Sequence, residues 1–209
     1  MDWLALHYIE VFGALTGIIY VFLEIRQSIW LWPLGLLTSA IYVWVFFTSK
    51  FYADMGLQAY YIVISIYGWY WWLRGAMKHK SGTLPVTRAS MNMSAVLLFI
   101  FLALFSSIWY VLSHYTDSTV PVGDAFTTAL SIVATWMLAR KIIEHWILWV
   151  IADLVSMGLY IYKGLYPTVV LFAVYTIMAV IGYFEWRRTI DRNNGDGGVS
   201  NDSPRMPGP

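Results

Sequence analysis

Cysteine is absent from the 209-residue chain, which removes disulfides, thiolate metal ligands and a cysteine nucleophile at once. Charge is scarce as well: Asp, Glu, Lys and Arg make up 12% of the residues, about half the usual share of a soluble domain. The 13 Lys and Arg nearly balance the 12 Asp and Glu, so no cationic surplus exists to meet phosphates and nucleic acid is not expected as a partner. No G-x-x-x-x-G-K-[ST] loop occurs, so the chain is not expected to hydrolyse ATP. The H-E-x-x-H pattern is missing too, and His7, His79, His114 and His145 all fall near the ends of apolar stretches. No metal or other cofactor is expected from that set. Met1-Asp2-Trp3, with Glu10 close behind, lacks a basic leader region and a small-residue cleavage site, so the first apolar stretch is expected to be retained.

What remains is apolar. Hydrophobic side chains account for 59% of the chain, the mean hydropathy is +0.62, and a bilayer crossing needs about 20 such residues. Seven stretches qualify, at 8–25, 29–49, 55–73, 93–112, 125–139, 146–162 and 166–186, which predicts an all-α polytopic membrane protein embedded in a lipid bilayer. The transmembrane domain covers residues 1–188. The tail from 189 to 209, with Asn193-Asn194-Gly195-Asp196 and Ser203-Pro204, has no apolar periodicity and is expected to be disordered. If the spans alternate, eleven of the 13 Lys and Arg fall on one side, leaving Lys50 and Lys163 on the other. Positive residues collect in the cytoplasm, so the N-terminus is expected outside and the C-terminus inside. The 12 Trp, 15 Tyr and 11 Phe exceed what interfacial belts need, which places some rings inside the bundle.

Sliding the chain on itself brings the first three spans onto the last three. At a shift of 114, Tyr52 meets Tyr166, Tyr61 meets Tyr175, Gly68 meets Gly182, Trp72 meets Trp186 and Arg74 meets Arg188. At 115, Ala14-Leu15 meets Ala129-Leu130 and Arg26 meets Lys141; at 117, Trp32 meets Trp149 and Ser39 meets Ser156. Two triplets that both end on the basic side must be joined by an odd helix. A 3+1+3 arrangement of parallel repeats follows: a first triplet with its loop over 8–92, a linker helix and loop over 93–124, and a second triplet over 125–188. This is a transporter architecture, with the substrate expected between the triplets near mid-membrane.

Asp153 lies about eight residues into span 6, roughly 12 Å from its inner end. A carboxylate there costs about 2.5–3.5 kcal/mol on insertion scales, so it is expected to face a cavity and to be functional. Trp146, Trp149, Asp153 and Tyr160 share one helical face. A carboxylate lined with such rings suits a bulky organic cation, although Trp146 suits an interfacial anchor equally. On span 3, Gln58, Tyr61 and Ser65 form a matching polar stripe, and the Gln58 amide offers both a donor and an acceptor. In span 2, Thr38, Ser39 and Tyr42 give a weaker polar face. Glu24 and Arg26 read as an interfacial pair, and Asp54 as a capping or gating residue at the start of span 3.

Two runs, Phe51-Tyr52-Ala53-Asp54-Met55-Gly56-Leu57-Gln58 with Tyr67-Gly68-Trp69-Tyr70-Trp71-Trp72, and Trp146-x-x-Trp149-x-x-x-Asp153 with Tyr160 and Tyr162-Lys163-Gly164-Leu165-Tyr166-Pro167-Thr168, resemble the PnuC family of vitamin transporters. The resemblance covers about residues 10–188. It implies a seven-helix bundle like a fused pair of half-SWEET triplets, in the bacterial cytoplasmic (inner) membrane, and no enzyme activity. It further implies import of nicotinamide riboside by facilitated diffusion, trapped by a cytosolic kinase. Trp146, Trp149, Asp153 and Tyr160 match the family's substrate-binding motif, and Gln58 a polar contact on the third helix; Tyr61 stands beside Gln58. A related carrier specificity, for the cationic vitamin thiamine, fits the same residues, and a receptor that binds without transporting is a different class. The sequence leaves a homo-oligomer open.

Overall fold

The computed structural model describes residues 2–48, 52–78 and 82–198, with side chains described at 11–48, 55–78 and 82–192. Seven helices follow one another: α1 (Asp2–Ile25), α2 (Leu31–Thr48), α3 (Tyr52–Lys78), α4 (Met91–Tyr115), α5 (Pro121–Ala139), α6 (His145–Tyr162) and α7 (Tyr166–Gly198). Each expected span has a helix in its place. Prolines sit where a helix tolerates them, in the first turns of α2 and α7 and at the start of α5, because those N–H groups have no intrahelical acceptor to lose. Ser90 caps α4 by accepting the N–H of Met93.

By length and composition, α2, α4, α5, α6 and residues 166–192 of α7 suffice to cross a membrane. α3 does not reach that hydropathy because Tyr60, Tyr61, Tyr67, Trp69, Tyr70, Trp71 and Trp72 interrupt it, and such rings favour the interface over hydrocarbon. The outward surface carries exposed Leu37, Trp44, Phe99, Val170 and Ile177, as a lipid-facing surface does.

Six helices form a closed ring. α1 packs on α2, α2 on α3, α3 on α5, α5 on α6, α6 on α7, and α7 returns to α1; α4 stands outside against α5. At the end of the ring that carries Arg26, Arg74, Arg140 and Arg188, a buried plug closes the interior. There Trp32 meets Trp72 edge-on at 5.5 Å between centroids, and Trp146 meets Trp186 edge-on at 5.8 Å. Trp72 donates to the Ala139 carbonyl and Trp186 to the Glu24 carbonyl, at 3.2 and 3.1 Å.

A glycine accepts each inner ring. A Cβ on Gly68 would lie 2.4 Å from Trp32, and one on Gly182 would lie 2.5 Å from Trp146. The packing therefore matches Trp32 to Trp146, a shift of 114, and not to Trp149 as expected from the sequence. Gly68→Ala and Gly182→Ala are each expected to destabilise the protein by about 1–3 kcal/mol, the usual effect of overpacking. Gly56→Ala, with open space around the new methyl inside α3, should be mildly stabilising, by up to about 1 kcal/mol. Thermal unfolding in detergent checks all three, and unequal losses at Gly68 and Gly182 would contradict the matched packing.

Two further sequence expectations are corrected. α7 does not end near 188 but runs to Gly198, so residues 189–198 are helical. The extension is tethered: Thr189 accepts a hydrogen bond from the Gln27 amide at 3.2 Å, and Ile190 packs on the core. Residues 199–209 lie outside the described residues. Glu24, read as half of an interfacial pair with Arg26, is instead 2% exposed and bonded to His145. Arg26 lies over the Phe22 ring.

Candidate substrate-binding site

The ring encloses a cavity of about 550 Å³, lined from all six of its helices and not from α4. That volume falls in the ordinary range for small-molecule sites. α6 supplies one wall with Trp149, Asp153, Ser156 and Tyr160, because positions spaced by three, four and seven residues stay on one face of a helix. α3, on the far side of α5, supplies a polar stripe of Gln58, Tyr61 and Ser65. All six residues singled out from the sequence, Gln58, Tyr61, Trp146, Trp149, Asp153 and Tyr160, line this one cavity.

Their surroundings differ. Asp153 is 5% exposed, and no ion pair among the described residues involves it. A buried carboxylate without a cation of the protein's own is poised for a cation from outside. Trp149 borders the same space, and among the described residues no acceptor meets its buried indole N–H, nor those of Trp146 and Trp32. Such orphan donors are rare in folded proteins, and a ligand oxygen would satisfy them. Tyr160 continues into an aromatic row, 5.1 Å from Phe172, which in turn is 5.7 Å from Tyr175. Trp146 sits at the floor, wedged against Trp186, Gly182 and His145, so its ring faces are largely taken by protein. The side chain of Asp54 lies outside the described residues.

Several lining residues escaped the sequence reading. Thr127, Ser131 and Thr135 stand one turn apart on α5, each hydroxyl donating to the carbonyl four residues back, at 3.1, 2.8 and 2.7 Å. With their protons used in this way, their oxygens are left as acceptors, and the Ser131 side chain is hydrogen-bonded to Tyr61. The i, i+4, i+8 spacing was visible, but a hydroxyl ladder on an apolar helix reads equally as packing. Tyr20 and Glu24 of α1 also line the cavity. Glu24 Oε1 lies 2.9 Å from His145 Nε2, and His145 Nδ1 lies 2.6 Å from the Ile142 carbonyl. That carbonyl can only accept, so Nδ1 carries a proton. One more proton lies between Nε2 and Oε1, on whichever atom, and the pair is neutral overall.

A multi-pass ring of helices around an internal, polar and aromatic cavity is the form of a small-solute membrane transporter. A family model described as "Nicotinamide mononucleotide transporter" matches residues 7–188. Among curated relatives, the nicotinamide riboside transporter PnuC of Escherichia coli K12 is 26% identical, over 87% of this chain and 85% of its own. The riboflavin/roseoflavin transporter RibM of Streptomyces davaonensis is 27% identical, over 85% and 83%. A crystal structure of the vitamin B3 transporter PnuC superposes with a TM-score of 0.71 at 22% identity, covering 89% of this chain and 83% of that one, which shows a shared fold. The chain belongs to the PnuC transporter family. These relatives are transporters and not enzymes.

Proposed function

We propose that the protein imports nicotinamide riboside by facilitated diffusion with alternating access, and that a cytosolic kinase traps the product. The observation that carries this reading is Asp153: a buried carboxylate with no ion pair among the described residues, in a cavity shared with Trp149 and Tyr160. A pyridinium stacks on such rings while the carboxylate offsets its charge. Gln58, Tyr61 and the α5 oxygens take the hydroxyls of the sugar, and Trp146 forms the floor. The alternation expected from the Lys and Arg distribution puts the plugged, basic end in the cytoplasm of a bacterial inner membrane. The paired Trp motifs support two triplets, over 8–92 and 125–188, that rock about the site with α4 as tether.

A second reading is favoured by the riboflavin/roseoflavin relative: the cargo is another flat vitamin. Binding of nicotinamide riboside, thiamine and riboflavin to the purified protein, measured in parallel, separates these. Nicotinamide riboside is expected to bind at micromolar concentration or tighter, and failure to do so would remove it as cargo. In liposomes loaded with unlabelled ligand, labelled ligand is expected to accumulate transiently by counterflow. Binding without exchange would make the protein a receptor.

A further inference from the structure

Two turns at matched positions have the same unusual backbone. α1 ends in a motif in which Gln27 N–H bonds Glu24 O and Ser28 N–H bonds Leu23 O; α5 ends in the same way, with Lys141 N–H on Leu138 O and Ile142 N–H on Met137 O. The residue at the centre takes a left-handed conformation, φ 52° at Gln27 and 53° at Lys141. Glycine is the usual occupant, since a side chain there costs about 1 kcal/mol. α6 obeys that rule, ending on Gly164 at φ 73°. Side chains kept at a strained position point to something they do.

What they do is reach each other. Lys141 Nζ donates to Gln27 Oε1 at 3.0 Å and to the Leu84 carbonyl at 2.9 Å, and lies 4.4 Å from the centre of the Trp72 ring. It is 1% exposed and pairs with no carboxylate among the described residues. One turn deeper, the Glu24–His145 bond spans the same seam, from α1 to α6. Together they close the basic end of the cavity beneath Trp146, and Glu24 itself forms part of the cavity wall.

We propose that Gln27–Lys141 and Glu24–His145 are the gate of this transporter at its basic end, a pair of cross-half bonds that must part for cargo to leave on that side. The proposal rests on the transporter reading. At Gln27–Lys141 a permanent staple would set a carboxylate against the ammonium. Here a lone cation is held by neutral oxygens, and burial lowers its ammonium to about 8. Opening restores its hydration, so the closed and open states are brought near balance.

The absence of cysteine allows a direct test. Ser65→Cys places a single thiol in the cavity beside the plug, and a membrane-impermeant maleimide is added from either side of oriented vesicles. Lys141→Met is expected to raise labelling from the basic side on the order of ten-fold, the equivalent of one charged hydrogen bond. Gln27→Glu gives the ammonium an anionic partner, so it should lower that labelling and slow counterflow. Gln27→Glu keeps the size of the side chain and gives up only the amide bond to Thr189, a loss that Thr189→Val reproduces alone as a control, so it reports even where Lys141→Met fails to fold. Unchanged labelling, or a shift of the same sign in both variants, would overturn the gate. Opposite shifts without counterflow in any protein would keep the gate and remove the transport reading.

Discussion

Asp153→Ala is expected to weaken binding of nicotinamide riboside by roughly ten- to hundred-fold, the usual range for losing one charge-assisted contact in a dry site. Riboflavin, whose ring system is neutral, offers the control: any binding of it should not depend on the carboxylate. The physical reason lies in what the site lacks. No ion pair among the described residues holds Asp153, so the carboxylate is solvated poorly by the protein and gains most when a cation arrives. Isothermal titration with the three vitamins measures this. Equal affinity of wild type and variant for nicotinamide riboside, in a protein of unchanged melting temperature, would move the cation site elsewhere in the cavity.

The second large effect concerns the bond beneath the floor. Glu24→Ala leaves His145 Nε2 buried without its partner, and breaking one side of a buried pair costs roughly 3–5 kcal/mol. That corresponds to about 6–20 °C in melting temperature for a chain of this size. Glu24→Gln should recover most of it. The neutral imidazole keeps its Nδ1–H on the Ile142 carbonyl and accepts one of the two new amide N–H groups at Nε2, so the His145 ring keeps both its hydrogen bonds. Thermal unfolding in detergent separates the two variants. A Gln variant as unstable as the Ala variant would show that the pair needs its charges and not only its hydrogen bond.

Much of the fold was legible because a bilayer imposes one coarse rule, and that rule is written in composition. The helices lie where the apolar stretches predicted them, and the side chains of α6 and α3 that share a face also share the cavity. The misreadings have particular causes. Glu24 sits at a helix end, where a carboxylate normally reaches water, and nothing local reveals that His145, 121 residues away, comes down on it. Trp32 was matched to Trp149 because Trp is abundant and a ring alone does not state which glycine it packs on. The end of α7 looked irregular by composition, while the contacts that hold it come from the turn after α1. Local chemistry was readable in each case; the partner across the ring was not.

The loop between α3 and α4 runs against the turn between α5 and α6. Thr87 N–H bonds Lys141 O, Ile143 N–H bonds Thr87 O, and Ala89 N–H bonds the Glu144 carboxylate at 2.9 Å. α4, which begins directly after this strap, also lies along α5. The fourth helix is thereby bound along its length to α5 and at its base to the turn between α5 and α6. Under the rocking proposed above, α4 would travel with α5–α7, so three helices move against four, and the heavier body carries the aromatic wall, Asp153 and the lysine of the seam. A graft or truncation that respects the sequence repeat, cutting after residue 124, would strip that body of its outer buttress.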